Sequence, residues 1–130
     1  MELQLKDFPI KVPLNSIIVK SICESKDSDG TYRIFIDRTL PKGLKKSEIT
    51  IDEWNKQIAP SPRLTRCLRE KITDFDFFSK LYVLELLANE KELDRIREIA
   101  KHKKVTLLCK SQHPSRNHAL ILNKVLLRSL

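Results

Sequence analysis

Two apolar runs set far apart constrain this chain more than any other feature. YRIFIDR at residues 32–38 and VTLLC at residues 105–109 are continuously apolar in the middle, the pattern of strands covered on both faces. Most of the sequence between them carries helix signals, and strands joined through helices pair in parallel, because the crossover returns the chain to the end it left. A third, β-branched run, SIIVKSIC at residues 16–23, precedes a turn-rich stretch, ESKDSDG, at residues 24–30. The expectation is an α/β fold: a small, mainly parallel sheet covered by helices on its faces, in a single compact domain over residues 1–130.

The helix signals are local. Thr50 with Glu53 three residues later has the form of a capping box, in which each side chain satisfies the other residue's free backbone N–H. This predicts a short helix carrying Trp54 and Ile58 on one face. It must stop at Ala59-Pro60, and Ser61-Pro62 restarts the chain with a capping hydroxyl and a proline at the first helical position. In that next helix Leu64, Cys67 and Leu68 fall at inward-facing spacing, while Arg63, Arg66 and Arg69 line another face. A longer helix is expected from about Asp74 to Ala88, with Phe75, Phe78, Tyr82 and Leu86 as its stripe. Asn89 starts another, with Leu93, Ile96 and Ala100 inward and a basic end at residues 101–104 suited to the negative helix pole. The last helix, from near Ser115 through Leu127, is apolar on more than one side, which predicts burial against the sheet and homo-oligomer contact.

Charge narrows the partners. Twenty-five Lys and Arg against seventeen Asp and Glu leave a formal charge of +8, a field that favours anions: nucleotides, nucleic acid, anionic lipid. A solvated surface rich in Lys and Glu is the alternative reading of the same excess. Cys23, Cys67 and Cys109 share no CxxC spacing, so neither a disulfide framework nor a zinc knuckle is proposed, and reduced thiols in a cytoplasm are the expectation. The opening MELQLKDFP lacks a leader's basic and apolar regions. No apolar run approaches the ~18 residues of a membrane span, so a cytoplasmic protein without membrane insertion is expected.

In open α/β sheets ligands bind beyond the carboxyl ends of the strands. That rule brings two polar segments together: DRTLPKG, with Asp37, Arg38 and Lys42, and CKSQHPSRNH, with Cys109, Lys110, His113, Arg116, Asn117 and His118. The order strand, Cys, polar loop, helix is that of the cysteine-based phosphatases, but six residues separate Cys109 from Arg116 where phosphatases have one fewer. The loop also lacks glycine and Pro114 removes a donor, so a full anion cradle is not expected. Cys109 reads more readily as a small apolar residue ending a buried strand than as a nucleophile. His113 and His118 with Cys109 have no carboxylate placed beside them in sequence, so no metal site or other cofactor is expected.

Several blocks in one order carry a resemblance: IDRTLPKGLKK from residue 36, DEWNKQIAPS from residue 52, VTLL from residue 105 and NHALIL from residue 117. Over about residues 32–127 the chain resembles the Domain of Unknown Function 488 family, in its YeaO-like branch. The diagnostic positions are Asp37, Arg38, Pro41, Lys42 and Gly43, then Trp54, then Ala59, Pro60 and Ser61, then Asn117 and His118. Where the family usually reads Asp-Arg-Leu-Trp-Pro-Arg-Gly, this chain has Thr39 and Leu40 for the Leu-Trp pair and Lys42 for the second Arg, keeping the charge without the planar fork. Other branches pair a strand-end Cys with a second thiol near the last helix; Asn117-His118 lacks it, so two-cysteine chemistry does not carry over. The resemblance implies an α/β fold with the two loops as neighbours, and it implies no activity.

The first functional expectation is an anion or small-molecule pocket at the strand ends, with Arg38, Lys42, Lys110, Arg116 and Asn117 as ligand-binding residues. Asp37 would orient Arg38, and Asp37, Cys109 and His118 are the candidates for catalytic roles. The second is a nucleic-acid-binding module using basic helix faces, Arg63, Arg66 and Arg69 among them. The third is a protein-interaction subunit assembled through the last helix.

Overall fold

The structure is a computed structural model describing residues 9–13 and 15–128; the opening segment at residues 1–8, read above as lacking a leader, lies outside the described residues. Among these, four parallel strands form one sheet: β1 (Ile17–Ser21), β2 (Tyr32–Phe35), β3 (Glu53–Trp54) and β4 (Val105–Cys109), in the order β1-β4-β2-β3. The helices are α1 (Pro62–Arg69), α2 (Phe75–Leu87), α3 (Glu90–His102) and α4 (His118–Leu127). The α/β class and the parallel pairing of the two long-separated runs are as the sequence predicts. β4 is central, and all five of its residues are buried, which is why its sequence has no polar alternation.

The two faces of the sheet are covered differently. Ile34, Ile36, Leu107 and Cys109 pack with side chains from all four helices, including Leu64, Phe78, Tyr82, Leu93, Ile96 and Leu122. Phe35 and Leu108, alternate residues on the same strands, pack instead with Ile22, Ile49, Leu40, Leu44 and Trp54, all from connecting segments and β3. The parallel strands β1 and β2 therefore join without a helix. Residues 22–31 return across this second face, where the fully buried guanidinium of Arg33 holds them: it donates to the Ser25 carbonyl, to Ser25 Oγ at 3.1 Å, to Asp29 at 3.2 Å and to the Thr50 carbonyl at 2.6 Å.

The expected helix after Thr50 is replaced by the edge strand β3. The Asp52 carboxylate accepts the Arg33 N–H at 2.8 Å and the Asp52 N–H returns to the Arg33 carbonyl at 2.8 Å. Glu53 is clamped by Arg95, Asn55 and Tyr32. Long-range partners thus take the groups that a local capping box would use. Half of a capping box forms one turn earlier, where the Glu48 carboxylate accepts the Lys45 N–H at 3.0 Å across a short 3-10 turn, the lysine side chain having no acceptor to return.

Asn89 stands at the start of α3 as expected, but its side chain does not cap that helix, its amide donating instead to the Gln57 carbonyl at 3.0 Å; the remaining starts follow their capping chemistry. Ser61 Oγ accepts the Leu64 N–H at 3.1 Å and Asp74 accepts that of Phe77 at 2.8 Å. The last helix begins three residues beyond Ser115, at His118, with Asn117 as its cap accepting the Leu120 N–H at 3.0 Å. Its many apolar residues are met internally: Ala119, Ile121, Leu122, Val125 and Leu126 are buried against β1, β4, α2 and α3. Among the described residues no helix is long and apolar enough to cross a membrane.

Candidate functional site

The carboxyl ends of β2 and β4 lie side by side, with Phe35 opposite Leu108 and the Ile36 N–H continuing the ladder to the Leu108 carbonyl at 3.0 Å. Asp37 is the next residue and ties the region together. Its Oδ2 accepts the backbone N–H of Lys110 at 2.7 Å, its Oδ1 faces His118 Nε2 at 3.5 Å, and its carbonyl accepts the indole N–H of Trp54 at 2.6 Å. His118 Nε2 lies 3.0 Å from the Ile36 carbonyl, a bond that requires the proton on Nε2. Tyr82 stands edge-on to the imidazole at 6.0 Å and donates its hydroxyl to the Ile58 carbonyl at 2.5 Å. That bond fixes the chain just before Ala59 and Pro60.

A cleft of about 730 Å³ opens beside this knot, lined by Asp37, Arg38 and Thr39 from one loop, Lys110 from the other, Ala59 and Pro60 after β3, and Pro62, Arg63, Thr65, Arg66 and Arg69 from α1. Arg38 Nε donates to the Pro60 carbonyl at 3.0 Å. It is Pro60, not Asp37 as expected from the sequence, that orients this guanidinium. Lys110 Nζ reaches Thr39 Oγ1 at 2.9 Å. Arg66 pairs loosely with Glu70 at 3.7 Å on the exposed surface, a contact of little strength there. Among the described residues Arg63 and Arg69 have no side-chain hydrogen bond or ion pair.

Three expected residues lie elsewhere. Lys42 is exposed and lines neither this cleft nor a second hollow between two helices. Arg116 and Asn117 line that second hollow, about 480 Å³ between α2 and α4 with Phe75, Ser79 and Val83. Asn117 is buried there as a helix cap, its amide donating to the His113 carbonyl at 2.7 Å. His113 Nδ1 accepts the N–H groups of Ser115 and Arg116 at 3.2 and 3.0 Å, so it shapes the turn. The arginines of α1 were read as a separate basic helix face, and the structure brings them to the same cleft as Arg38 and Lys110. The signal that could have placed them there is the Ala-Pro-Ser turn, which starts α1 directly after an edge strand.

Cys109 is buried, its thiol donating weakly to the Lys20 and Ser111 carbonyls at 3.8 and 3.6 Å. Burial first, and then the nearby Asp37 charge, pushes its pKa up to about 12, so the thiol is neutral at physiological pH and is a poor nucleophile. Cys23 and Cys67 are half-exposed. A thiol reagent at pH 8 is therefore expected to modify Cys23 and Cys67 readily in the native protein and Cys109 only after denaturation. Mass mapping that found Cys109 labelled first would contradict this arrangement.

The family model described as the inactive DUF488-N3 subclade matches residues 16–130. This chain belongs to the DUF488 family. Among relatives, it is 40% identical over 98 residues to the uncharacterised protein YeaO of Escherichia coli (strain K12), covering 75% of this chain and 84% of that protein. It is 30% identical over 108 residues to an uncharacterised protein of Mycobacterium tuberculosis (strain ATCC 25618 / H37Rv), covering 83% of this chain and 91% of that one. No solved structure matches the chain. In this DUF488 protein the diagnostic residues Asp37, Arg38 and Pro60 meet at the cleft, Trp54 and His118 brace it from behind, and Lys42 stands apart.

Proposed function

We propose that this DUF488 protein is a binding protein for a small anion, received at the carboxyl ends of β2 and β4 beside Arg38 and Lys110, and that it binds without catalysis. The observation that carries this reading is the charge around the cleft. Five cationic side chains line it against one carboxylate, and that carboxylate already faces the Lys110 N–H and His118. Arg38 is held through Nε by Pro60, an orientation that leaves the guanidinium's other nitrogens as donors for an oxyanion.

Binding without chemistry is supported by the groups that would have to act. Cys109 is a buried neutral thiol, the proton on His118 Nε2 is engaged by the Ile36 carbonyl, and Asp37 serves as a tie between loops. The matched family model is itself described as inactive. Three free cysteines support a reducing, cytoplasmic setting.

The test is thermal unfolding with orthophosphate and sulfate, with wild type beside Arg38→Ala. An anion at roughly 100 times its dissociation constant should stabilise the fold by about 2.7 kcal/mol. Arg38→Ala should weaken its affinity by about tenfold or more, the loss of a charge-assisted contact. Binding that survives Arg38→Ala unchanged would remove the site from the strand ends.

A further inference from the structure

We infer that the cleft takes a phosphate chain, two or more linked phosphoryl groups carried on an organic body, with the arginine row of α1 gripping the groups beyond the first. This rests on the anion seat beside Arg38 and Lys110 and names the class of ligand that fills the rest of the space.

The first support is charge matching. Arg38, Arg63, Arg66, Arg69 and Lys110 converge on a cleft whose one carboxylate is Asp37. A phosphate monoester brings only about −1.5 to −2 at pH 7, at most half of what balances that lining, whereas two or three linked phosphates come close.

The second support is geometry along α1. Leu64 is buried and Cys67 and Leu68 are half-buried, while Arg63, Arg66 and Arg69 recur every third residue and all line the cleft. At a rise of about 1.5 Å per residue the row is about 9 Å long, and charge-assisted N–H···O bonds are only about 2.7–2.9 Å. An elongated anion meets the whole row with each arginine near its own position; a compact one requires all three to converge.

The third support is the uncharged part of the lining. A space of about 730 Å³ lies within the usual range for small-molecule sites, roughly 300–1,000 Å³, and far exceeds orthophosphate. Ala59, Pro60 and Pro62 supply an apolar wall, and proline rings present flat C–H faces against which a planar ring can rest. No aromatic side chain lines the cleft among the described residues, so the stacking platforms of single-strand binders are missing. A free organic polyphosphate therefore fits better than a nucleic-acid strand.

Calorimetric titration without divalent cations tests this, using orthophosphate, tripolyphosphate, AMP, ATP and a short oligothymidylate. ATP should bind about tenfold or more tighter than AMP, and tighter than tripolyphosphate through the proline wall. The double variant Arg63→Ala/Arg69→Ala should erase the ATP-over-AMP step while keeping orthophosphate within about threefold of wild type. Lys103→Ala/Lys104→Ala removes the same charge from exposed positions ahead of β4 and should leave the step intact. The inference is overturned if ATP binds no tighter than AMP, if tripolyphosphate equals ATP, if the distant lysine pair matters as much as the arginines, or if oligothymidylate outcompetes ATP. Failure of the anion seat looks different: orthophosphate binding would then ignore Arg38→Ala.

Discussion

Arg33→Met is expected to lower stability by about 3–5 kcal/mol, the usual size of breaking a buried, fully bonded charge. Arg33 has no exposed surface, and its guanidinium serves Ser25, Asp29 and the Thr50 carbonyl together. Methionine keeps the packing of the stem but leaves those backbone carbonyls under cover with no donor. The segments at residues 22–31 and 49–51 then keep their apolar contacts over Phe35 and Leu108 and peripheral bonds such as Thr50 N–H to the Lys26 carbonyl at 2.7 Å, but lose the side chain that joins them at the centre. Arg33→Lys should recover little, because one ammonium cannot span acceptors arrayed around a planar fork. Urea unfolding gives the value directly, and a loss under about 1 kcal/mol would mean that the second face is closed by packing rather than by this one side chain.

The second large effect is expected at Arg97, also buried, on α3. Its Nε and Nη2 donate to the carbonyls of Leu126, Val125 and Arg128 at 2.9, 2.8 and 3.2 Å, and its Nη1 pairs with Glu90 and Asp94, each at 2.8 Å. The end of α4 is thus capped by a side chain from another helix, meeting carbonyls that have no partner within their own helix. Arg97→Met should cost about 3 kcal/mol. It should also speed amide exchange in the last turn of α4 well before the rest of the sheet opens. Equal acceleration across α4 and β4 would argue that the two elements open as one unit and that Arg97 is not a local clamp.

Both residues mark where sequence reading stops. Arg33 stands inside YRIFI, and nothing in its spacing distinguishes an arginine that faces solvent from one beneath a returning loop. That difference depends on residues 22–31 crossing the sheet. The sequence reading of β4 coincides with its observed bounds, because a strand buried on both faces has no polar positions to blur its ends. The start of α2 was legible through Asp74, since capping is a contact between near neighbours. Thr50 and Glu53 were misread for the opposite reason: their partners, Arg33, Lys26 and Arg95, are remote in sequence.

The candidate site divides in the same way. Strand topology alone brings Asp37, Arg38 and Lys110 to one cleft. Arg116 was carried to a different hollow because α4 begins beyond it and the His113 turn aims it away from the strand ends. The α1 row depends on how Ser61 is anchored, its N–H and hydroxyl donating to Glu85 at 2.9 and 2.5 Å. Contacts between two helices of that kind leave no periodic trace.

The order β1-β4-β2-β3 also governs how the molecule comes into being. β1 and β2 do not touch as strands; each finds its long pairing partner in β4, which leaves a ribosome after the other three described strands. Until residues 105–109 emerge, the nascent chain holds two apolar strands with open edges and a set of helices with no floor to pack on. Such a sheet cannot settle strand by strand from its amino end; it closes by insertion of the central strand, and its unpaired edges are exposed until that strand arrives. The waiting period, rather than the finished fold, is where this protein is most open to aggregation and most in need of a chaperone.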